Sequence, residues 1–153
     1  MKKVFVSLCM AATLVGLSSC ASTKNAATLS SLSGEWNIIE INGSAVVPGQ
    51  GQQLPFIGFD TTTGKVYGYS GCNRIIGSVD VNAKPGTIDL GALGSTRMAC
   101  PDMTLEQNVL GALAQVKGYK KMGKENMALC NASNRPVVIL AKKAADVKVA
   151  DLQ

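Results

Sequence analysis

A chain of 153 residues, 46% hydrophobic and 16% charged, has the size of one domain and is too apolar to be disordered along its length. It has no histidine, which excludes His general-base catalysis, Ser–His and Cys–His nucleophile pairs and His-containing zinc sites. The formal charge of +5 names no partner: without Lys2 and Lys3, 13 of the 15 basic residues face 10 acidic ones, three of the 13 are arginines, and aromatics are few, so no nucleic-acid partner is expected.

Met1-Lys2-Lys3 is a short cationic start, and the apolar run from Val4 to Leu17 is shorter than the about 20 residues of a spanning helix. Residues 1–19 therefore have the layout of a secretory signal. At its end, Leu17-Ser18-Ser19-Cys20 resembles the lipobox of bacterial lipoproteins, whose cysteine sulfur carries a diacylglyceryl thioether. The resemblance implies cleavage before Cys20 and three acyl chains on that residue. At roughly 0.8 kcal/mol per buried CH₂, one chain binds marginally and three hold. Ala21 at the next position implies the outer membrane under the enterobacterial sorting rule, and the absence of an acidic run implies the periplasmic face. Residues 20–31, rich in Ser, Thr and Ala with no apolar period, are expected to be a flexible tether.

The domain opens with Gly34 to Ile41, a nearly alternating strand that ends in the turn dipeptide Asn42-Gly43. A Gly/Pro/Gln loop spans residues 44–53. Pro55 to Asp60 and Lys65 to Tyr69 read as two strands around a turn at residues 61–64, and Ser78 to Asn82 and Thr87 to Leu90 as two more around Pro85-Gly86. From Pro101 the period changes: Leu105, Val109, Leu113 and Val116 form one stripe of an amphipathic helix. Thr104-Leu105-Glu106-Gln107 fits a capping box, and Asp102 and Glu106 sit favourably at the positive end of the helix dipole. Tyr119 to Met122, Met127 to Cys130 and Pro136 to Leu140 follow as strands, and residues 141–153 as a polar tail. One helix cannot cover such a sheet on both faces. The expected fold is α+β, a strongly curved antiparallel sheet or incomplete β-barrel with one packed α-helix.

Of five cysteines, Cys9 leaves with the signal and Cys20 is lipidated. Cys72, Cys100 and Cys130 remain in an oxidising compartment. No CxxC is present, which excludes a thioredoxin-type centre and a Cys₄ zinc site. Cys72 and Cys100, both next to turns and 28 positions apart, are expected to pair with Cys130 left free; the alternative is three buried thiols acting as small hydrophobes. Leu32-x-Gly34-x-Trp36, then Gly68-Tyr69-Ser70-Gly71-Cys72-Asn73-Arg74 with Gly77, then Thr96-Arg97-Met98-Ala99-Cys100 together resemble the META domain, or HslJ-like (DUF306), family. The resemblance covers about residues 32–140. It implies a compact β-rich domain with a packed helix, found largely in bacterial envelope lipoproteins, akin to the pilot lipoproteins that chaperone outer-membrane secretins. It implies no established catalytic activity, and associates its members with heat-shock or envelope stress and drug tolerance.

Read as residues, Gly68 and Gly71 allow positive φ or close backbone approach, Asn73 can bond its own backbone in an Asx-turn, Thr96 can close a turn, and Met98 is an adaptable core filler. Gly71, Cys72, Asn73, Thr96, Met98 and Cys100 are thus expected chiefly as fold determinants brought together in space, and otherwise as a binding site. Trp36 is expected as a core anchor. The functional expectation is a monomeric, non-enzymatic lipoprotein without cofactor or metal. It would be held to the membrane by its N-terminal lipid and bind an envelope protein or a hydrophobic ligand in a groove between helix and sheet. The alternative is a thiol-based redox sensor or enzyme using Cys72, Cys100 or Cys130, with Arg74 or Arg97 to lower a thiol pKa. Asp80, Asp89 and Asp102 read as solvated turn carboxylates, and Asp60-Thr61-Thr62 resembles a periplasmic O-glycosylation sequon.

Overall fold

The computed structural model describes residues 27–144; the signal segment, Cys20 and residues 145–153 lie outside the described residues. A single antiparallel sheet is built from β1 (Gly34–Ile41), β2 (Ser44–Ala45), β3 (Phe56–Asp60), β4 (Lys65–Tyr69), β5 (Arg74–Ser78), β6 (Gly94–Ser95), β7 (Gly118–Met122), β8 (Asn126–Cys130) and β9 (Pro136–Lys142). Its order is β6-β5-β4-β3-β1-β9-β8-β7, with β2 hairpinned onto β1. The sheet is curved and open, as expected. The connection between β5 and β6 reaches towards its far edge: Thr87 bridges Gly118, and the Tyr119 amide donates to the Gly86 carbonyl at 3.0 Å. α1 (Thr104–Leu113) packs on β1 and β9, burying Val109, Ala112 and Leu113. Among the described residues no helix is long and apolar enough to cross a membrane.

β1 shows how side-chain pattern becomes core. Trp36 and Ile38 point inward, as alternation requires, but the next buried residue is Ile41 and not Glu40. A register shift against β9 between Ile38 and Glu40 inserts one residue and returns the apolar side chain to the core face. The turn that follows uses positive φ at Asn42 (49°) and Gly43 (83°), the pair of conformations a tight hairpin needs.

Several boundaries differ from the sequence reading. The fifth strand is Arg74–Ser78 and not Ser78 to Asn82, so the Cys72-Asn73 turn leads straight into a strand. Thr87 to Leu90 forms no strand beyond the single bridge at Thr87, although Ile88 and Leu90 are buried. The pairs Ser44–Ala45 and Gly94–Ser95 are too short for periodicity to announce. β9 runs on to Lys142, past the expected start of the tail. At the end of the expected tether, and running one residue past it, Leu29–Leu32 forms a 3₁₀ turn; Ala27 is buried, and its carbonyl accepts from the Gly86 amide at 2.9 Å.

Trp36 is buried to 4% exposure; its indole N–H donates to the Leu32 carbonyl at 2.7 Å, and the Lys142 ammonium lies 4.4 Å from its ring centroid. It ties the N-terminal turn to β1 and β9. Trp36→Ala should cost about 3–5 kcal/mol in urea unfolding; a loss under about 1 kcal/mol would contradict its role as an anchor.

Candidate functional site

The two motif segments meet at the end of the sheet where β4 turns into β5, and a third element joins them. Gly68 has no room for a side chain: a Cβ there would sit 2.2 Å from the Phe56 carbonyl oxygen. Gly71 has φ +116°, and a Cβ would also press on Leu105 of α1 at 3.1 Å. These are the two jobs expected of those glycines. The tight turn places Asn73, 1% exposed, against the segment that follows β6.

Asn73 does not bond its own backbone in an Asx-turn. Its Oδ1 accepts from the Thr96 hydroxyl at 2.7 Å and the Met98 amide at 2.8 Å. Its Nδ2 donates to the Met98 carbonyl at 3.2 Å and to Glu106 Oε1 at 2.9 Å. An asparagine side chain has two donors and two acceptor sites, and here all four are used. Thr96 Oγ1 in turn accepts from the Arg74 amide at 3.1 Å, extending the link into β5. Met98 contributes its backbone; its side chain is 63% exposed, so it is not a core filler.

Glu106 closes the arrangement from the helix. Its Oε2 accepts from the Asn73 amide at 2.7 Å and faces the Ser70 hydroxyl at 3.0 Å, a hydroxyl also 2.8 Å from the Asn73 carbonyl. Ser70, Asn73 and Glu106 are the three buried polar side chains among the described residues. Sequence reasoning placed Glu106 at the dipole end, within a stretch whose Thr104 and Gln107 fit a capping box. The structure instead starts the helix at Thr104 with no side-chain cap on Met103, and leaves the Asp102 carboxylate to accept from the Thr104 amide. Glu106 still benefits from the positive end of the helix, but it points inward. A signal was present: Glu106 lies three residues before Val109 and seven before Leu113, on the buried face.

A disulfide joins Cys72 to Cys100 with a Cα–Cα distance of 6.2 Å, within the usual range, clipping the turn after β4 to the segment leading into the helix. Cys130 is free and 1% exposed, and burial pushes its thiol above the ordinary cysteine range, which makes it a poor nucleophile. Asp80, Asp89 and Asp102 sit in separate turns, each accepting from a backbone amide two residues on. Asp60 bonds Thr62 and Thr63 within the β3–β4 turn, away from the motif, with Thr61 half-buried beside it.

Two clefts open on this part of the domain, one of them lined by motif residues. One of about 470 Å³ lies between the β1–β2 hairpin and the first turns of α1, where the sequence placed a groove between helix and sheet. The larger, of about 650 Å³, opens beside the motif over β3, β4 and β5, with Phe56, Tyr69, Arg74, Thr96 and Met98 among its walls.

Residues 17–144 match the META domain family. Among solved structures, the chain is similar to a Burkholderia xenovorans protein determined by NMR, with 25% identity and a TM-score of 0.57 over 76% of this chain and 86% of that one. A DUF4847 family protein from Bacteroides vulgatus shares the fold at 16% identity, with a TM-score of 0.52 over 75% of this chain and 96% of that one. Comparison with curated proteins gives no match.

Removing one acceptor from the buried network leaves a donor unsatisfied, so Glu106→Gln should cost about 2–3 kcal/mol. A residue acting only through the helix dipole would cost about 0.3–1 kcal/mol, and a denaturation series that gives this smaller loss would contradict the network. Reducing the disulfide should lower stability by about 3.5 kcal/mol on the chain-entropy model. Differential alkylation with peptide mapping should label Cys130 on unfolding without reductant, and Cys72 and Cys100 only after reduction. Labelling of Cys72 or Cys100 without reductant would refute the pairing.

Proposed function

The chain belongs to the META domain family, and we propose that it is a non-enzymatic lipoprotein of the bacterial envelope. In this reading acyl chains on Cys20 hold it to the outer membrane on the periplasmic side. The domain acts as a monomer without cofactor, binding an envelope protein or a hydrophobic ligand in an assembly or stress role. The observation that carries the reading is how the motif is used. Asn73, Thr96, Ser70 and Glu106 are bonded to one another, and Cys72 and Cys100 to each other, so the motif frames a cleft rather than presenting reactive groups to it. A cleft of this size with mixed aromatic and polar walls suits binding. Support for the anchor comes from Leu17-Ser18-Ser19-Cys20 and the cationic, apolar stretch before it.

Metabolic labelling with palmitate tests the anchor. The full chain expressed in a bacterium should take up label and fractionate with the outer membrane, whereas Cys20→Ala should lose both the label and cleavage at this site. Persistent acyl labelling of the variant would overturn the assignment.

A further inference from the structure

The larger cleft carries a chemical signature in its walls. Phe56, Tyr69 and Arg74 are direct cross-strand partners, Phe56 to Tyr69 and Tyr69 to Arg74, so their side chains form one row across the outer face of β3, β4 and β5. The row runs from aromatic to aromatic to guanidinium. The Tyr69 hydroxyl donates to the Gly71 carbonyl at 2.6 Å, which leaves its ring as an apolar wall. Across from the row stands Met98, a soft and adaptable side chain 63% exposed, beside Thr96 and Gln53.

Charge in the cleft has one sign. Among the described residues Arg74 is the one formally charged residue on its lining and no acidic residue lines it, while the Lys143 ammonium lies 4.5 Å from the ring centroid of Phe56. Among the described residues the ion pairs are Lys117–Asp89 and Lys143–Glu35, so the Arg74 guanidinium makes none. The walls are also fixed in advance. The Arg74 amide is bonded to Thr96, Thr96 and Met98 are bonded to Asn73, and the disulfide holds the same segment from its other end. A preformed site loses less on binding than one that must order itself.

We infer that this cleft binds a small amphiphilic anion, an aromatic or acyl carboxylate or sulfonate, with its apolar body against Phe56, Tyr69 and Met98 and its anionic group on Arg74. The volume, about 650 Å³, is that of a small-molecule site. A guanidinium fork matches the paired oxygens of such a group. The inference rests on the binding role proposed above and names the ligand class for it.

Two probes that differ by one group test it. 1-Anilinonaphthalene-8-sulfonate and its neutral parent N-phenyl-1-naphthylamine are titrated by fluorescence into the full chain and its Arg74→Gln and Met98→Glu variants. Any binding to the apolar N-terminus is then common to all three proteins. Among the described residues Arg74 makes no side-chain hydrogen bond or ion pair, so thermal unfolding of Arg74→Gln should match the parent. The sulfonate should bind with shifts of the Arg74, Thr96 and Met98 amide resonances. Arg74→Gln should weaken it by at least about tenfold while leaving the neutral probe unchanged. Met98→Glu should weaken both. If the neutral probe binds with Met98 sensitivity but Arg74→Gln leaves sulfonate affinity unchanged, the anion inference falls and a hydrophobic cleft remains. If neither probe shifts those resonances, the inference and the small-ligand half of the proposed function fall together.

Discussion

A carboxyl group buried at the junction of helix and sheet organises this domain. Glu106, on the first turn of α1, reaches the backbone amide and the side-chain amide of Asn73 and faces the Ser70 hydroxyl, all within 3.0 Å. Withdrawing such a group from water is costly unless its oxygens are engaged. Here the compensation comes from a turn 33 positions earlier in the chain. That requirement fixes where the helix lies on the sheet. It also fixes the strand that begins at Arg74, because the amide that donates to Glu106 belongs to the residue just before it.

Asn73 passes the constraint on. Its remaining groups hold Thr96 and Met98, so an irregular segment with little secondary structure of its own is placed by side-chain bonds in place of a sheet ladder. The disulfide between Cys72 and Cys100 runs beside these bonds and joins the same two segments. The two devices act differently: the hydrogen bonds fix position in the folded state, whereas the covalent link limits the freedom of the unfolded chain. Together they fix the segment carrying Thr96 and Met98 against the turn that carries Cys72 and Asn73.

Much of this was legible in the residues. Gly34 to Ile41 and Lys65 to Tyr69 fell on the observed strands because the first nearly alternates and ends at Asn42-Gly43, and the second starts after the turn at residues 61–64. The disulfide followed from two turn-flanked cysteines, and Gly68 and Gly71 from the crowding their positions imply. What alternation could not show was the start of β5 at Arg74, since Gly71-Cys72-Asn73 reads as turn and gives no hint of where the strand resumes. Met98 was misplaced because an apolar side chain suggests a core, whereas this position is used through its backbone. Glu106 was assigned to the helix end because local rules for acidic residues there are strong, and its partner is non-local. Its spacing from Val109 and Leu113 was a sign of the buried face that the sequence reading did not use, and only the tertiary contact explains why a carboxylate is tolerated there.

The most direct measurement is native-state hydrogen exchange at the amides of Asn73 and Met98. Both N–H groups donate to side-chain oxygens of the network, the first to Glu106 and the second to Asn73. Met98 nevertheless lies in a stretch whose side chains are exposed, with Arg97 and Ala99 on either side. If the buried network organises the domain, both amides should open only with global unfolding, at the same free energy as the core of β1 and β9. Exchange of Asn73 and Met98 at the rate of an exposed loop, with the β1 and β9 core still protected, would contradict it.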